Sequence, residues 1–379
     1  MYTDIASSLR ELDAVALATN VTVFMERDTK QVPATLGYCM PAEWCPHEAT
    51  WLVWPKNPLT WPDRVAEVRE LYLQIMTLLA SQERVDLLVD DLDTADAVAG
   101  KLRERNAALE QIAFHPIKTA DSWIRDYGPN FLLRRTQGKV ELAFNHWRFN
   151  AWGNKYEDLK RDEVIPAQLE ALLKVPRFAP ELVLEGGSIE VNGEGICLTT
   201  EECLLNPNRN PGKSKSEIEQ FLRDYLGVQQ ILWLRGGIAG DDTDGHVDNM
   251  ARFVKPGTIV CSLEEDPSDE SYETLQENYR RLQAARDGNG SPLEVIPLPM
   301  PGRLQTAQRR LPASYTNFYI ANGLVLFPTF AHANDARAAN ILQKLLPKRK
   351  VIGMDCRSAV WGLGTLHCLT QQQPALSLF

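Results

Sequence analysis

The sequence predicts a mixed α/β fold, and three observations carry that prediction. Short β-rich runs alternate with amphipathic stretches along most of the 379 residues; the helix-then-strand order recurs; and hairpins with strong turn signals lie between the helices. Taken in order, VDLLVD at 85–90, an amphipathic stretch near 94–109 and IAFHPIK at 112–118 predict a strand, helix, strand unit. LVLEGGSIEVNGEGICLTT at 182–200 predicts a hairpin turning at Asn192-Gly193. Helices follow near 214–226 before VQQILWL, near 269–286 before LEVIPLP and near 332–347 before RKVIGMD. Pro211-Gly212, Pro256-Gly257 and Pro301-Gly302 read as turns. No Ser/Gly linker divides the chain, so the expected organisation is a polar N-terminal extension over 1–36 and one domain over 37–379. Periodicity alone does not decide between an open and a closed arrangement.

With 44% hydrophobic and 24% charged residues the composition is that of a folded globular chain and excludes disorder. Forty Lys+Arg against fifty Asp+Glu leave a net charge of −10, which repels a phosphate backbone and favours a small cation over nucleic acid. No apolar run reaches the roughly 18 residues of a membrane span. Residues 14–25 (AVALATNVTVFM) make a poor signal core, because Asp4, Glu11 and Asp13 precede them where basic residues belong. The seven cysteines, at 39, 45, 197, 203, 261, 356 and 368, lack framework spacing and read as reduced thiols, which points to the cytoplasm.

Four stretches concentrate chemistry. DDTDGHVDN at 241–249 packs four aspartates and a histidine into nine residues after Arg235-Gly236-Gly237. If Gly245 to Asp248 enters a strand, alternation turns His246 and Asp248 to one face. A solvated Asp-rich turn or a divalent-metal loop are the other readings, although the EF-hand pattern is absent. In DSWIRDYGP at 121–129, Trp123 offers a flat wall for a planar cation and Asp126 a carboxylate for its N–H edge, against the plainer reading of an Arg125–Asp ion pair. In LEGGSIEVNG at 184–193, Glu185 precedes two glycines that permit close backbone approach. GLGTLHCLTQQQP at 362–374 makes Cys368 the best nucleophile candidate, with His367 beside it to favour the thiolate; a merely buried cysteine is the alternative.

Together with MPAEWCPHEATWLVWP (40–55), FNAWGNKY (149–156), SYTNFYIANG (314–323) and LHCLTQQQP (366–374), these stretches resemble the agmatine deiminase family. That family includes the bacterial peptidylarginine deiminases and belongs to the guanidine-modifying superfamily. The resemblance covers roughly residues 37–375 and implies a five-bladed α/β propeller (pentein) of ββαβ-type units around a central site. It further implies that Asp126 and Asp248 hold a guanidinium, that Cys368 attacks its carbon, and that His246 protonates the departing ammonia and then activates water, with Glu185 orienting it. Agmatine would become N-carbamoylputrescine, a step toward putrescine and polyamines, with no cofactor and no metal. The partner is then a small cationic guanidine, with no nucleic acid and no membrane; a homo-oligomer is compatible with the sequence and not determined by it.

The substrate-binding set implied by the same resemblance is Trp123, Asp242, with Asp244 as its alternative, Asn317 and Arg148, the last with pairing to a surface acid as an equal reading. Arg148 in NHWRFNAWG departs from the agmatine enzymes and matches the arginines with which peptidylarginine deiminases hold a carboxylate, so C-terminal arginine is the alternative substrate, and another small guanidine a further one. Leu363 and Thr365 also depart, replacing a glycine and an asparagine of the nucleophile loop. Two readings from other classes remain. One is a metal-dependent hydrolase using Asp241, Asp242, Asp244, His246 and Asp248. The other is a non-catalytic binder on the same fold, which would be expected to have lost the reactive residues. Cys39, Cys45 and His47 lack a fourth zinc ligand.

Overall fold

The computed structural model describes residues 31–376. Most of the expected extension, and the apolar stretch 14–25, lie outside the described residues. Within them, a compact unit begins at Val32, and Leu36 packs on a buried cluster that includes Ile218, Leu222 and Leu226.

The unit is assembled from five small mixed sheets that repeat one pairing scheme. The first holds β1 (His47–Val53), β2 (Arg84–Val89) and β3 (Ile112–Pro116), all parallel. The second holds β4 (Asn130–Thr136), β5 (Lys139–Asn145) and β6 (Arg177–Phe178); the third β7 (Glu190–Val191), β8 (Ile196–Thr200) and β9 (Gln230–Leu234). The fourth holds β10 (Ala251–Lys255), β11 (Thr258–Leu263) and β12 (Glu294–Pro299); the fifth β13 (Tyr319–Ile320), β14 (Leu324–Thr329) and β15 (Lys350–Asp355). In each of these four an antiparallel pair is followed by a parallel one. The final strand, β16 (Gln371–Pro374), returns to the first sheet and lies antiparallel to β1, supplying the pairing that the first sheet otherwise lacks.

Parallel neighbours need a crossover, and helices supply it. α1 (Val65–Leu79) and α2 (Leu92–Glu104) connect the strands of the first sheet; α3 (Ile165–Leu173), α4 (Lys215–Leu226), α5 (Tyr272–Ala284) and α6 (Asn334–Leu345) serve the others in turn. The predicted helices thus exist, with ends that differ from their apolar patterns by up to about five residues. α4 shows why its limits fall where they do. Ser214 and Glu217 form a reciprocal capping box, Ile218, Leu222 and Leu226 bury one stripe, and Gly227 ends the helix in the left-handed region at φ 69°.

Two expected strands are absent. The apolar run 182–189 does not extend the hairpin, since β7 spans only Glu190–Val191; the turn itself forms as expected, Asn192 Oδ1 accepting from the N–H groups of Glu194 and Ile196, both at 2.9 Å. Residues 245–248 are likewise not a strand: Asp244 and Gly245 are left-handed, and Val247–Asn249 is a 3-10 turn begun by His246. In both places the chain leaves regular structure to hold polar groups that a sheet face would separate. The pattern is general. Ile124–Tyr127 precedes β4, Gly186–Ser188 precedes β7, Val247–Asn249 precedes β10, the segment with Asn317 precedes β13, and the turn at 366–369 precedes β16. Every candidate catalytic residue stands on one of these five lead-in segments or, for Glu185 and His246, directly before one.

Candidate active site

Gly187 marks the centre. A Cβ placed on it would lie 2.6 Å from His246 Nδ1, 2.8 Å from Asp126 Oδ1 and 3.1 Å from Asp248 Oδ2. Three ionisable groups, from the segments before β4 and β10, therefore converge on a glycine from the segment before β7, and only a residue without a side chain fits between them. Cys368 joins them: its Sγ lies 3.5 Å from Asp248 Oδ2 and 3.2 Å from Asn317 Nδ2. His246 stands between two carboxylates, Nδ1 at 3.6 Å from Asp126 and Nε2 at 3.7 Å from Glu185. Neither ring nitrogen, nor Asp248 Oδ1, has a hydrogen-bond partner among the described residues. Buried polar atoms are rarely left so, and these three present an unfilled demand for donors and acceptors.

The surroundings fix each group. Asp126 accepts from the Gly187 N–H at 3.0 Å and from Trp152 Nε1 at 2.9 Å. Glu185 accepts from the fully buried Arg209 at 2.8 Å. Asp248 accepts from His367 Nδ1 at 2.8 Å, and His367 Nε2 lies 2.9 Å from Glu43. Asn317 Oδ1 in turn accepts from Thr365 Oγ1 at 2.8 Å and from the His367 N–H at 3.1 Å, holding the nucleophile turn in place.

Burial raises the Asp126 carboxyl to about 6, with Asp248 adding repulsion and His246 only partly offsetting it. For His246 burial works against the charged ring, yet Asp126, with Cys203 and Glu185, outweighs it and raises the imidazole well above its ordinary range. Burial also opposes charge on Asp248 and Glu185, but His367 and Arg209 respectively hold them below the usual carboxylate range. The Cys368 thiol is pushed well up by burial and by the Asp248 and Asp126 carboxylates. The site thus favours a neutral thiol at Cys368 and a protonated ring at His246, with the acidic groups Asp126, Asp248 and Glu185 around them.

Cys368 and Asp126 open onto a cavity of about 340 Å³, walled by Trp123 and Trp152 and with Asp242, Glu157 and Asp158 among its other lining residues. Gly364 admits Trp123 to the nucleophile, since a Cβ there would lie 2.6 Å from the Trp123 ring and 3.2 Å from Cys368 Sγ.

A family model for the Porphyromonas-type peptidyl-arginine deiminases matches residues 39–374. The chain belongs to that family. Agmatine deiminase from Medicago truncatula is 38% identical over 377 residues, covering 92% of this chain and 99% of its own. Agmatine deiminase of Enterococcus faecalis superposes with a TM-score of 0.83 at 32% identity, over 92% of this chain and 99% of its own. A cysteine-to-serine variant of C. jejuni agmatine deiminase with substrate bound gives 0.79 at 32%, over 89% and 96%.

Within this deiminase family the structure also relocates several expected residues. Arg148 is exposed, pairs with Glu163 at 2.7 Å and does not line the cavity; its expected place at a substrate carboxylate is corrected accordingly. Asn317 bonds the nucleophile instead of lining the cavity. Asp242 does line it, held by the Tyr156 hydroxyl and 3.7 Å from Lys155, whereas Asp244 is taken by Arg209 and Lys155. Asp242, not Asp244, is the one of the two that lines the cavity. His367 does not sit on the thiol as supposed, and Arg125 reaches Glu43 and Gln372 instead of an aspartate. The run 241–248 does not gather as a metal loop; among the described residues the group with ligand spacing is Glu185, Cys203 and His246, where Arg209 already places a fixed cation on Glu185. His47 is bound to Glu83 and the Glu43 carbonyl, so it is structural.

The residues missed were Glu43, Trp152, Arg209 and Arg252, all inside stretches without local charge patterning; only the stretches at 40–55 and 149–156 flagged the first two. Arg148→Ala is expected to leave kcat/KM for agmatine within about twofold, as a surface pair should. A steady-state ammonia assay checks this.

Proposed function

We propose that the protein is an agmatine deiminase that works through a covalent amidino intermediate on Cys368. The convergence of Asp126, His246 and Asp248 on Gly187, beside the Cys368 sulfur, carries this reading. A guanidinium is a planar cation and a poor electrophile, so it needs anchoring carboxylates and a nucleophile stronger than water. Seated between Asp126 and Asp248, it sets its positive charge against two carboxylates. The same charge lowers the thiol pKa, so Cys368 releases its proton to solvent through the cavity as substrate docks. The sulfur then bonds the central carbon, His246 gives its proton to the departing nitrogen, and ammonia leaves. Now neutral, His246 accepts a proton from water as the water oxygen bonds that carbon; the C–S bond breaks, and the ureido product departs. Glu185, fixed by Arg209, keeps the ring oriented through both transfers. The terminal amine of agmatine extends into a cavity edged by Asp242, Glu157 and Asp158.

The five repeating ββαβ units and the return of β16 to β1 support a closed five-bladed α/β propeller with the site at its centre. The seven free thiols favour a reducing, cytoplasmic setting, and no helix among the described residues is long and apolar enough to cross a membrane.

Ammonia release should be measured against agmatine, free arginine, a peptide ending in arginine and a peptide with internal arginine. Agmatine is expected to lead by at least about tenfold in kcat/KM. Preference for the C-terminal arginine peptide, or silence on all four, overturns the reading.

Asp126 must be ionised to bind the cation, and its carboxyl titrates at about 6. Activity therefore falls as pH drops through that value, visible as an acid limb in the kcat/KM profile. The Trp152 hydrogen bond favours the ionised form, so Trp152→Phe should move the limb upward. A limb that stays in place removes Asp126 from this role.

A further inference from the structure

Asp162 is buried beside the substrate cavity and has no part in the chemistry described above. It lies in the 3-10 segment Glu157–Val164, whose Glu157, Asp158 and Leu159 line that cavity. Its two oxygens accept from the backbone N–H groups of Ala120 and of Asp121, the second at 2.9 Å. Those two residues lead directly into Trp123 and Asp126. Asp121 is bound in turn from a third stretch: its Oδ2 accepts from Thr60 Oγ1 and, at 3.3 Å, from Asn57 Nδ2, while Oδ1 accepts from the Ser122 N–H at 2.8 Å. Asn57, Thr60 and Asp121 line the cavity as well. Two buried carboxyls thus knot together the stretches 57–60, 120–126 and 157–162, which wall one cavity.

Burying both is costly. Burial raises the Asp162 carboxyl to about 7; the Ala120 and Asp121 N–H groups and Arg161 offset it only in part, and the Asp121 carboxylate adds to it. Burial likewise raises Asp121. An apolar side chain would fill the same space without that cost, so the placement points to what the carboxyls hold. We propose that Asp162 is a positioning residue for substrate binding: by clamping the Ala120-Asp121 backbone it keeps Trp123 and Asp126 in register with the cavity wall at 157–159. It touches no reacting atom. Asp126 is also fixed by the Gly187 N–H and Trp152, while Cys368 and His246 stand on other segments beside Asn317 and Glu185. Loss of the clamp therefore loosens the seat more than it disturbs the chemistry. The inference rests on the proposed deiminase activity and adds a residue to its binding machinery.

The test is kcat and KM for agmatine, with the melting temperature alongside, in the wild-type protein, Asp162→Asn, Thr60→Val and the double variant. Asparagine keeps the shape, but its amide must turn a donor toward one of two N–H donors, so one bond is lost. KM should rise about tenfold in Asp162→Asn while kcat stays within about threefold. Thr60→Val removes the hydroxyl bond to Asp121 at nearly constant volume and should raise KM by a smaller factor. The double variant should raise it by less than the product of the two, because both act through Asp121. A lower melting temperature with KM unchanged makes Asp162 merely structural and overturns the inference, as does a kcat that falls as far as KM rises. If Asp162→Asn does not fold, Thr60→Val decides: an unchanged KM overturns the inference and a raised one supports it. If the wild-type protein does not turn over agmatine, it is the deiminase reading that fails, and the inference with it.

Discussion

Replacing Cys368 with serine is expected to lower agmatine turnover by at least about four orders of magnitude, equivalent to roughly 5.5 kcal/mol of lost barrier reduction. The substitution nearly preserves shape, and a hydroxyl can still face Asn317 and Asp248. What it removes is an ionisable nucleophile. A thiol already held well above its ordinary pKa by burial and two carboxylates is brought into range by one arriving cation; a hydroxyl starts too far away for the same charge to suffice. Binding should survive, because Asp126 and Asp248 are untouched, so calorimetric titration of the variant with agmatine should still show heat. In the wild-type protein, mass spectrometry after acid quench during turnover should find Cys368 carrying agmatine less one ammonia. Serine-variant activity above about one per cent, or an adduct on another residue, would remove Cys368 from the centre of the mechanism.

Glu43→Gln should produce the largest loss of stability. Glu43 is buried and meets Arg252 at 2.7 Å, His367 at 2.9 Å and Arg125 at 3.4 Å, while also accepting from the Ile320 N–H at 2.8 Å. Burial alone would raise its carboxyl, but Arg252, His367 and Arg125 together hold it well below the usual range. Glutamine keeps the volume and removes the charge, leaving Arg252 with Glu190 as its one remaining buried carboxylate partner. Breaking such a buried network from one side typically costs about 3–5 kcal/mol. Denaturant unfolding followed by tryptophan fluorescence measures the loss; a change below about 1 kcal/mol would show that Glu43 is dispensable to the fold. Turnover should also drop, since His367 then loses the partner that aims it at Asp248.

How much of this was legible in the chain depends on the range of the interaction. The helices at 215–226, 272–284 and 334–345, and the turn at Asn192-Gly193, were readable because apolar periodicity, capping residues and turn chemistry act within a few positions. The sequence also named Cys368, His246, Asp126, Asp248 and Glu185, through the resemblance of the stretches that hold them. It misjudged how two of them come together: His246 and Asp248 are joined by a 3-10 turn, because strand alternation was the only local rule available. Arg148 stayed undecided in the sequence for a related reason. Its neighbours in sequence identify an arginine near the site, but whether the guanidinium faces the cavity or Glu163 is set by a helix-flanking residue fifteen positions away.

The sequence by itself thus determined the element order, the acidic balance and the reactive residue types, all of which follow from local composition and spacing. Only the tertiary structure decided which charges meet. Asp126 and Cys368 are separated by 242 positions and Glu43 and His367 by 324, and the shifts of Asp126, Cys368 and Glu43 arise from burial and charges that no short window contains. The five lead-in segments share no common motif; what unites them is their place before a strand, where packing brings Asp126, His246 and Asp248 to Gly187 and Cys368 to Asp248 and Asn317.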